Sequence, residues 1–207
     1  MSAEHRITSV EALEALYEIP PKPNALAKEL DHISEPYRAF IEAAPFVVVA
    51  SSGAGGIDCS PRGDPAGFVR VADPRTVMMP DRRGNNRLDT LRNLVEDPRI
   101  SLLFLIPGVN ETLRINGTAE IVTDPDLCAG FEMNGKLPRS VIVTTVGSVY
   151  YQCPKALVRS RLWDAETQIP RSDLPSTGEM IKAMIDPGYD AAAHDRDYPA
   201  YMKETIY

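Results

Sequence analysis

The sequence predicts a mainly β protein with flanking helices, its strands arranged as an antiparallel barrel. Three observations predict it. Short β-branched or apolar runs recur between residues 46 and 152, and most are separated by turn residues. Only two convincing helical stretches, 87–96 and 124–133, interrupt them, too few for the strand–helix alternation of a parallel sheet. Helical periodicity is otherwise confined to the two ends of the chain.

Thr8 and Glu11 have capping-box spacing, and Val10, Leu13, Leu16 and Tyr17 repeat at helical intervals until Pro20-Pro21 stops the run. Two further helical pieces are expected at 24–33 and 34–44, the second with Pro36 near its start, where a missing N–H costs little. Residues 1–45 are therefore expected to form a helical extension. From Phe46 the character changes: FVVVASS reads as a strand, Gly53-Ala54-Gly55-Gly56 as a hairpin turn, and IDCS as the start of a second strand. The glycine run lacks the G-x-G-x-x-G spacing and no helix follows, so it is not a dinucleotide loop. More strands are expected at 68–71, 76–80, 99–106, 112–122 and 140–152. Residues 154–163 read as a short basic helix with Lys155, Arg159 and Arg161 beside Leu157, Leu162 and Trp163. Helices are expected at 178–185 and near Ala200 in the tail. The expected division is thus 1–45, 46–163 and 164–207.

With 43% apolar and 25% charged residues in 207, the chain has the composition of an ordinary globular protein with one sizeable core. A net charge of −7 argues against a general nucleic-acid or anionic-membrane binder, so any anion site must be local. No apolar run is long enough for a membrane span, and the first residues lack a signal-peptide layout, so the cytoplasm is the expected location. Cys59, Cys128 and Cys153 are widely spaced, and His5, His32 and His194 form no metal-like pair. Neither a metal site nor a His-centred triad is expected.

Three constellations remain as candidate chemistry. In PDRRGNNR, Gly84, Asn85 and Asn86 permit the positive φ of a backbone nest, Asn86 can cap the following helix, and Arg83 and Arg87 can reach over its positive end. Free amides at a helix start together with forked guanidinium donors suit phosphate oxygens. A solvated strand-to-helix turn has the same composition. The segment DCSPRGDPAGFVRV is stiffened by prolines and can hold Arg62 and Arg70 in place for an electronegative ligand edge, or can be a surface turn with Arg62 paired to Asp64. The basic helix with the single Trp can cover an anionic or aromatic ligand, pack on the barrel, or do both.

The motifs SPRGDPAGFVRV, MMPDRRGNNRLDTLRN, ETLRINGTAEI and CPKALVRSRLWD, in this order between residues 46 and 163, resemble the FMN-binding split barrel of pyridoxamine 5′-phosphate oxidase-like flavoproteins. They look like a branch of FMN-dependent enzymes with no settled substrate. The resemblance implies a six-stranded antiparallel split β-barrel and a homodimer with FMN at the subunit interface. It places Met78, Met79, Pro80 and Asp81 along the flavin ring and ribityl chain. Asn86 and Arg87, with Arg83, Gly84 and Asn85, fall at the phosphate, and Phe68, Val69, Arg70 and Arg62 at the pyrimidine edge. Thr112 stands where the oxidases carry a flavin-contacting Gln, and Lys155, Arg159 and Trp163 would close the site from the other subunit. The oxidases' Arg-Lys pair is replaced by Asn86-Arg87, and their C-terminal Trp and Arg-Leu pattern is missing, so vitamin B6 oxidation is not implied. The expected function is an FMN-dependent oxidoreductase working by hydride transfer at flavin N5 on an unassigned small-molecule substrate, with no side chain named as a proton-transferring catalyst. The alternatives are a flavin- or haem-binding storage protein and a deazaflavin-dependent reductase.

Overall fold

Alternating burial along the strands fixes the architecture. In the computed structural model, which describes residues 5–17 and 19–206, β1 (Phe46–Gly53) turns Val47, Val49 and Ser51 inward. The first four residues of the expected N-terminal extension lie outside the described residues. β2 (Gly56–Gly63) returns from β1 through the two-residue turn Ala54-Gly55, with Gly56 directly after it at φ +111°, the hairpin expected of the glycine run. β3 (Arg70–Asp73), β4 (Thr76–Asp81), β5 (Arg99–Leu105), β6 (Thr112–Val122) and β7 (Ser140–Gln152) complete one antiparallel sheet, ordered β2-β1-β5-β6-β7-β4-β3.

The sheet has seven strands rather than the six implied by the resemblance, and it is open, with β2 and β3 as unjoined edges. Length explains the extra strand. β7, thirteen residues long, pairs with β6 along one side and β4 along the other, and β4 then pairs with the four-residue β3 at the rim. β3 begins at Arg70, two residues later than expected, because Phe68 and Val69 turn into the core before pairing starts. A bulge between Asn116 and Gly117 coils β6 against β7, and only glycine fits there, since a Cβ at Gly117 would run into the Thr145 carbonyl oxygen.

Eight α-helices are described: α1 (Val10–Tyr17), α2 (Pro23–Ala27), α3 (Glu35–Ala43), α4 (Asp89–Glu96), α5 (Pro125–Ala129), α6 (Lys155–Ser160), α7 (Thr177–Met184) and α8 (Ala191–Thr205). Ser9, not Thr8, receives a first-turn amide of α1, that of Ala12 at 3.2 Å. α2 stops early because Leu30 pairs with Val149 of β7 through two backbone bonds, which draws the following residues into an extended path. α3 lays Tyr37 and Ile41 on the core formed by Val47, Val49, Phe104, Leu113, Ile115 and Ile142. α5 ends four residues before the expected point, and residues 133–136 form a tight turn with Asn134 and Gly135 both at positive φ.

The placement of α4 matters most for the site. Its Leu94 is in the core, and its buried Asn93 donates to Ser51 Oγ at 3.2 Å and to the Gly56 carbonyl at 3.4 Å. Glu96 accepts the Ala54 amide at 2.7 Å. The C-terminal half of α4 is therefore pinned to the β1–β2 hairpin, and its N-terminus is held over the face of β2.

Candidate anion-binding cleft

A cleft of about 710 Å³ opens between β2, the end of β4, the loop leading into α4 and the segment before β7. Its floor follows from strand alternation: the half-buried Asp58, Ser60 and Arg62 turn from β2 toward α4, while the exposed Pro61 and Gly63 contribute to the rim. Thr90, buried in the first turn of α4, ties this row together. Its hydroxyl bonds the Asp58 carboxylate, lies 3.2 Å from Ser60 Oγ, and receives an Arg62 guanidinium nitrogen at 3.4 Å. The Thr90 hydroxyl, helped by Ser60 and the Arg62 charge, holds the Asp58 carboxyl below its ordinary value against the opposing effect of burial.

At the end of β4, half-buried Asp81 behaves in the opposite way. Burial raises its pKa, and the charges of Arg62 and Arg139 only partly offset that. The next residue, Arg82, is structural: Nε meets Asp64 at 2.8 Å, with 16% and 9% of the two side chains exposed, and another guanidinium nitrogen donates to the Phe131 carbonyl at 2.6 Å. Asp64 is thus paired with Arg82 and not with Arg62. Arg87 donates through Nε to Asp89 at 2.7 Å, and its amide donates to the Asn85 side chain at 3.1 Å.

The helix start differs from the sequence expectation. Asn86 takes positive φ, as a nest requires, but it does not cap α4; the capping position is Leu88, itself left-handed at φ +60° and making no side-chain cap hydrogen bond. The first-turn amides therefore face the cleft without a side-chain cap. Around them, six basic and three acidic side chains line the walls, a local positive excess in a chain of net charge −7. Arg62, Arg83 and Arg139 have no carboxylate oxygen within 4.0 Å among the described residues.

Of the residues singled out in the sequence, the cleft brings together Arg62, Asp81, Arg83, Gly84, Asn85, Asn86 and Arg87. The others lie elsewhere in the protomer. Phe68, Val69 and Met79 are core residues, Pro80 is buried, and Met78 packs on the small cluster of Cys128, Phe131 and Val141. Arg70 lies over the Phe131 ring at 4.1 Å. Thr112 is buried and bonds Gln152 at 3.2 Å. Lys155 and Arg159 stand on the exposed face of α6, and the indole N–H of half-buried Trp163 donates to the Val109 carbonyl at 2.8 Å. Cleft residues that were not singled out as site residues in the sequence include Asp58, Ser60, Thr90, Lys136 and Arg139. The period-two polar row 58-60-62 was the signal for the first two. Among the described residues no three His, Cys, Asp or Glu side chains are grouped to hold a metal ion, and no helix is long and apolar enough to cross a membrane.

The family model described as pyridoxamine 5′-phosphate oxidase matches residues 33–153. The chain belongs to the pyridoxamine 5′-phosphate oxidase family. The match starts at Ile33, where the chain enters the core, and ends just past β7, so the family's portion of the molecule contains all seven strands and the whole cleft. Comparison with curated protein sequences gives no match. Similar solved structures include HupZ of Group A Streptococcus, 18% identical over 57% of this chain and 93% of that one, with a TM-score of 0.47. A candidate pyridoxamine 5′-phosphate oxidase of Lactobacillus delbrueckii is 18% identical over 59% and 98% of the two chains, TM-score 0.48. An FMN-binding protein of Syntrophomonas wolfei is 12% identical over 69% and 92%, TM-score 0.44.

Proposed function

We propose that the cleft binds FMN by its phosphate and that the protein is an FMN-dependent oxidoreductase with an unassigned small-molecule substrate. The observation that carries this reading is the α4 N-terminus, without a side-chain cap and opening on a cation-rich cleft, in a member of the pyridoxamine 5′-phosphate oxidase family. The donors fit a dianionic ester: helix-start amides favour negative charge, and Arg83 is a forked donor with no carboxylate within 4.0 Å among the described residues. The volume also suits a cofactor, since such sites span about 300–1,000 Å³.

Each cleft side chain has a definite task in this reading. Arg83 and the first-turn amides hold the phosphate, with Arg87 beside them. Arg62, fixed by Thr90, presents a positive charge to an electronegative ligand edge. Asp81 keeps its proton to higher pH than an ordinary aspartate, because burial disfavours its ionised form. Bound FMN supplies hydride transfer, a chemistry that ordinary side chains lack.

The protein is further proposed to act as a homodimer with FMN at the subunit interface. The outward side of the β1–β5 pair supports this, because Val48 stands opposite Leu103 and Phe46 opposite Leu105, four apolar residues all at least partly exposed. An absorbance spectrum of the purified protein, followed by titration with FMN, tests the cofactor reading, with haem and a deazaflavin titrated in parallel. Binding of either of those in preference to FMN overturns it. Stopped-flow mixing of the flavin-loaded protein with reduced nicotinamides and then oxygen tests turnover, and an unchanged flavin spectrum throughout leaves a storage protein.

A further inference from the structure

Charge is divided unevenly along this chain. Residues 46–163 carry fourteen Lys and Arg against twelve Asp and Glu, whereas residues 164–207 carry four against nine. The acidic tail ends in the pair α7–α8, which has almost no core of its own. The two helices pack on each other, Gly178 being the one buried residue described in either, and they pack extensively on no strand. Met180, Met184, Ile185, Tyr201 and Met202 are left exposed. Helices of eight and fifteen residues that bury so little are not self-sustaining and need a surface to rest on.

The last two helices described before and at the end of this tail, α6 and α8, carry complementary stripes. On α6, Lys155, Val158 and Arg159 fall at i, i+3 and i+4, so they share one face; all three are exposed, and neither cation has a carboxylate within 4.0 Å among the described residues. On α8, Asp197, Tyr201 and Glu204 fall at i, i+4 and i+7 and are exposed too. Asp197 is paired only with its exposed neighbour Arg196, at 2.9 Å. Within one chain α6 and α8 do not pack extensively on each other among the described residues.

We propose that in the dimer the α8 stripe of one protomer docks on the α6 stripe of its partner, with Asp197 and Glu204 meeting Lys155 and Arg159 and Tyr201 covering Val158. The inference rests on the dimeric reading above. Two-fold symmetry makes the contact reciprocal, so each copy both gives and receives a hairpin. It gives Lys155 and Arg159 a protein partner in place of the ligand that the family resemblance assigns them. Exposed ion pairs contribute little individually, so the stripes set the register while the apolar sheet face contributes most of the affinity.

Sedimentation equilibrium on the full chain tests this with four proteins: wild type, Lys155→Glu with Arg159→Glu, Asp197→Lys with Glu204→Lys, and all four changes together. Each double reversal should weaken dimerisation by about tenfold or more, and the fourfold variant, with its charges exchanged, should recover most of the loss. The wild-type dimer should also weaken with added salt. A wild type that stays monomeric overturns the dimeric reading. A dimer that all reversals leave unchanged overturns the α6–α8 contact alone.

Discussion

Arg82 and Arg83 are neighbours with opposite duties, and truncating each in turn separates ligand binding from folding. Arg83 is exposed and has no carboxylate within 4.0 Å among the described residues, so Arg83→Ala removes only what it gives to a ligand. A hydrogen bond to a charged group is worth about 1.5–3 kcal/mol, which predicts a rise of about 10- to 150-fold in the Kd for FMN with little change in Tm. Arg82→Ala breaks a largely buried ion pair and strands Asp64, whose side chain is 9% exposed. Removing one partner of such a pair costs about 3–5 kcal/mol, or roughly 6–20 °C of Tm at this chain length. Flavin fluorescence titration and thermal unfolding of the two variants read both quantities. Should Arg83→Ala bind FMN as tightly as the wild type, the unpaired guanidinium is not the phosphate ligand and the reasoning about the cleft fails. A wild-type Tm for Arg82→Ala would refute its structural role just as directly.

Three further outcomes follow from particular residues. Gly117→Ala should destabilise the fold by about 1–3 kcal/mol in chemical denaturation, since the new Cβ meets the backbone of Thr145 and no rotamer relieves it. Hydrogen bonds from Arg99 hold the Asp97 carboxyl down to about 2 from an ordinary 3.8. A depressed folded-state pKa gives stability that is full above the unfolded value and lost as pH falls through the folded one. The Tm gap between wild type and Asp97→Asn should therefore be steady above about pH 4 and close on the way down to about 2, as thermal melts in stepped buffers would show; a gap that persists at the acid end would mean the effect is not ionic. Arg87→Ala should cost FMN affinity twice over, by removing a cation and by leaving Asp89 unpaired beside the bound phosphate. Arg87→Ala with Asp89→Asn should therefore bind FMN more tightly than Arg87→Ala alone in the same titration.

The strands were legible because apolar alternation and turn residues agree along most of 46–152, and the family motifs fall on them in order. Where reading failed, local signals pointed the wrong way. Pro61 and Gly63 made the end of β2 look like a turn, which hid the row Asp58, Ser60, Arg62; the proline is tolerated because β2 is an edge strand, where one side of the backbone needs no partner. Asn134-Gly135 is a strong tight-turn pair, yet the helical pattern before it runs on to residue 133 in the sequence while the helix itself stops at Ala129. The start of α4 was misplaced because nothing in a leucine announces a left-handed residue; tertiary packing of Asn93 and Leu94 positions the helix and leaves Leu88 to absorb the strain. Lys136 and Arg139 reach the cleft only through the path taken before β7, which no local pattern encodes.

The bare beginning of α4 makes any bound oxyanion a surrogate for the missing cap. Occupancy and helix integrity are then one equilibrium. An apo protein should let the amides of residues 89–91 exchange with solvent faster than those pinned near Asn93, and saturating ligand should slow them while adding RT ln(1 + [L]/Kd) to the stability of the whole domain.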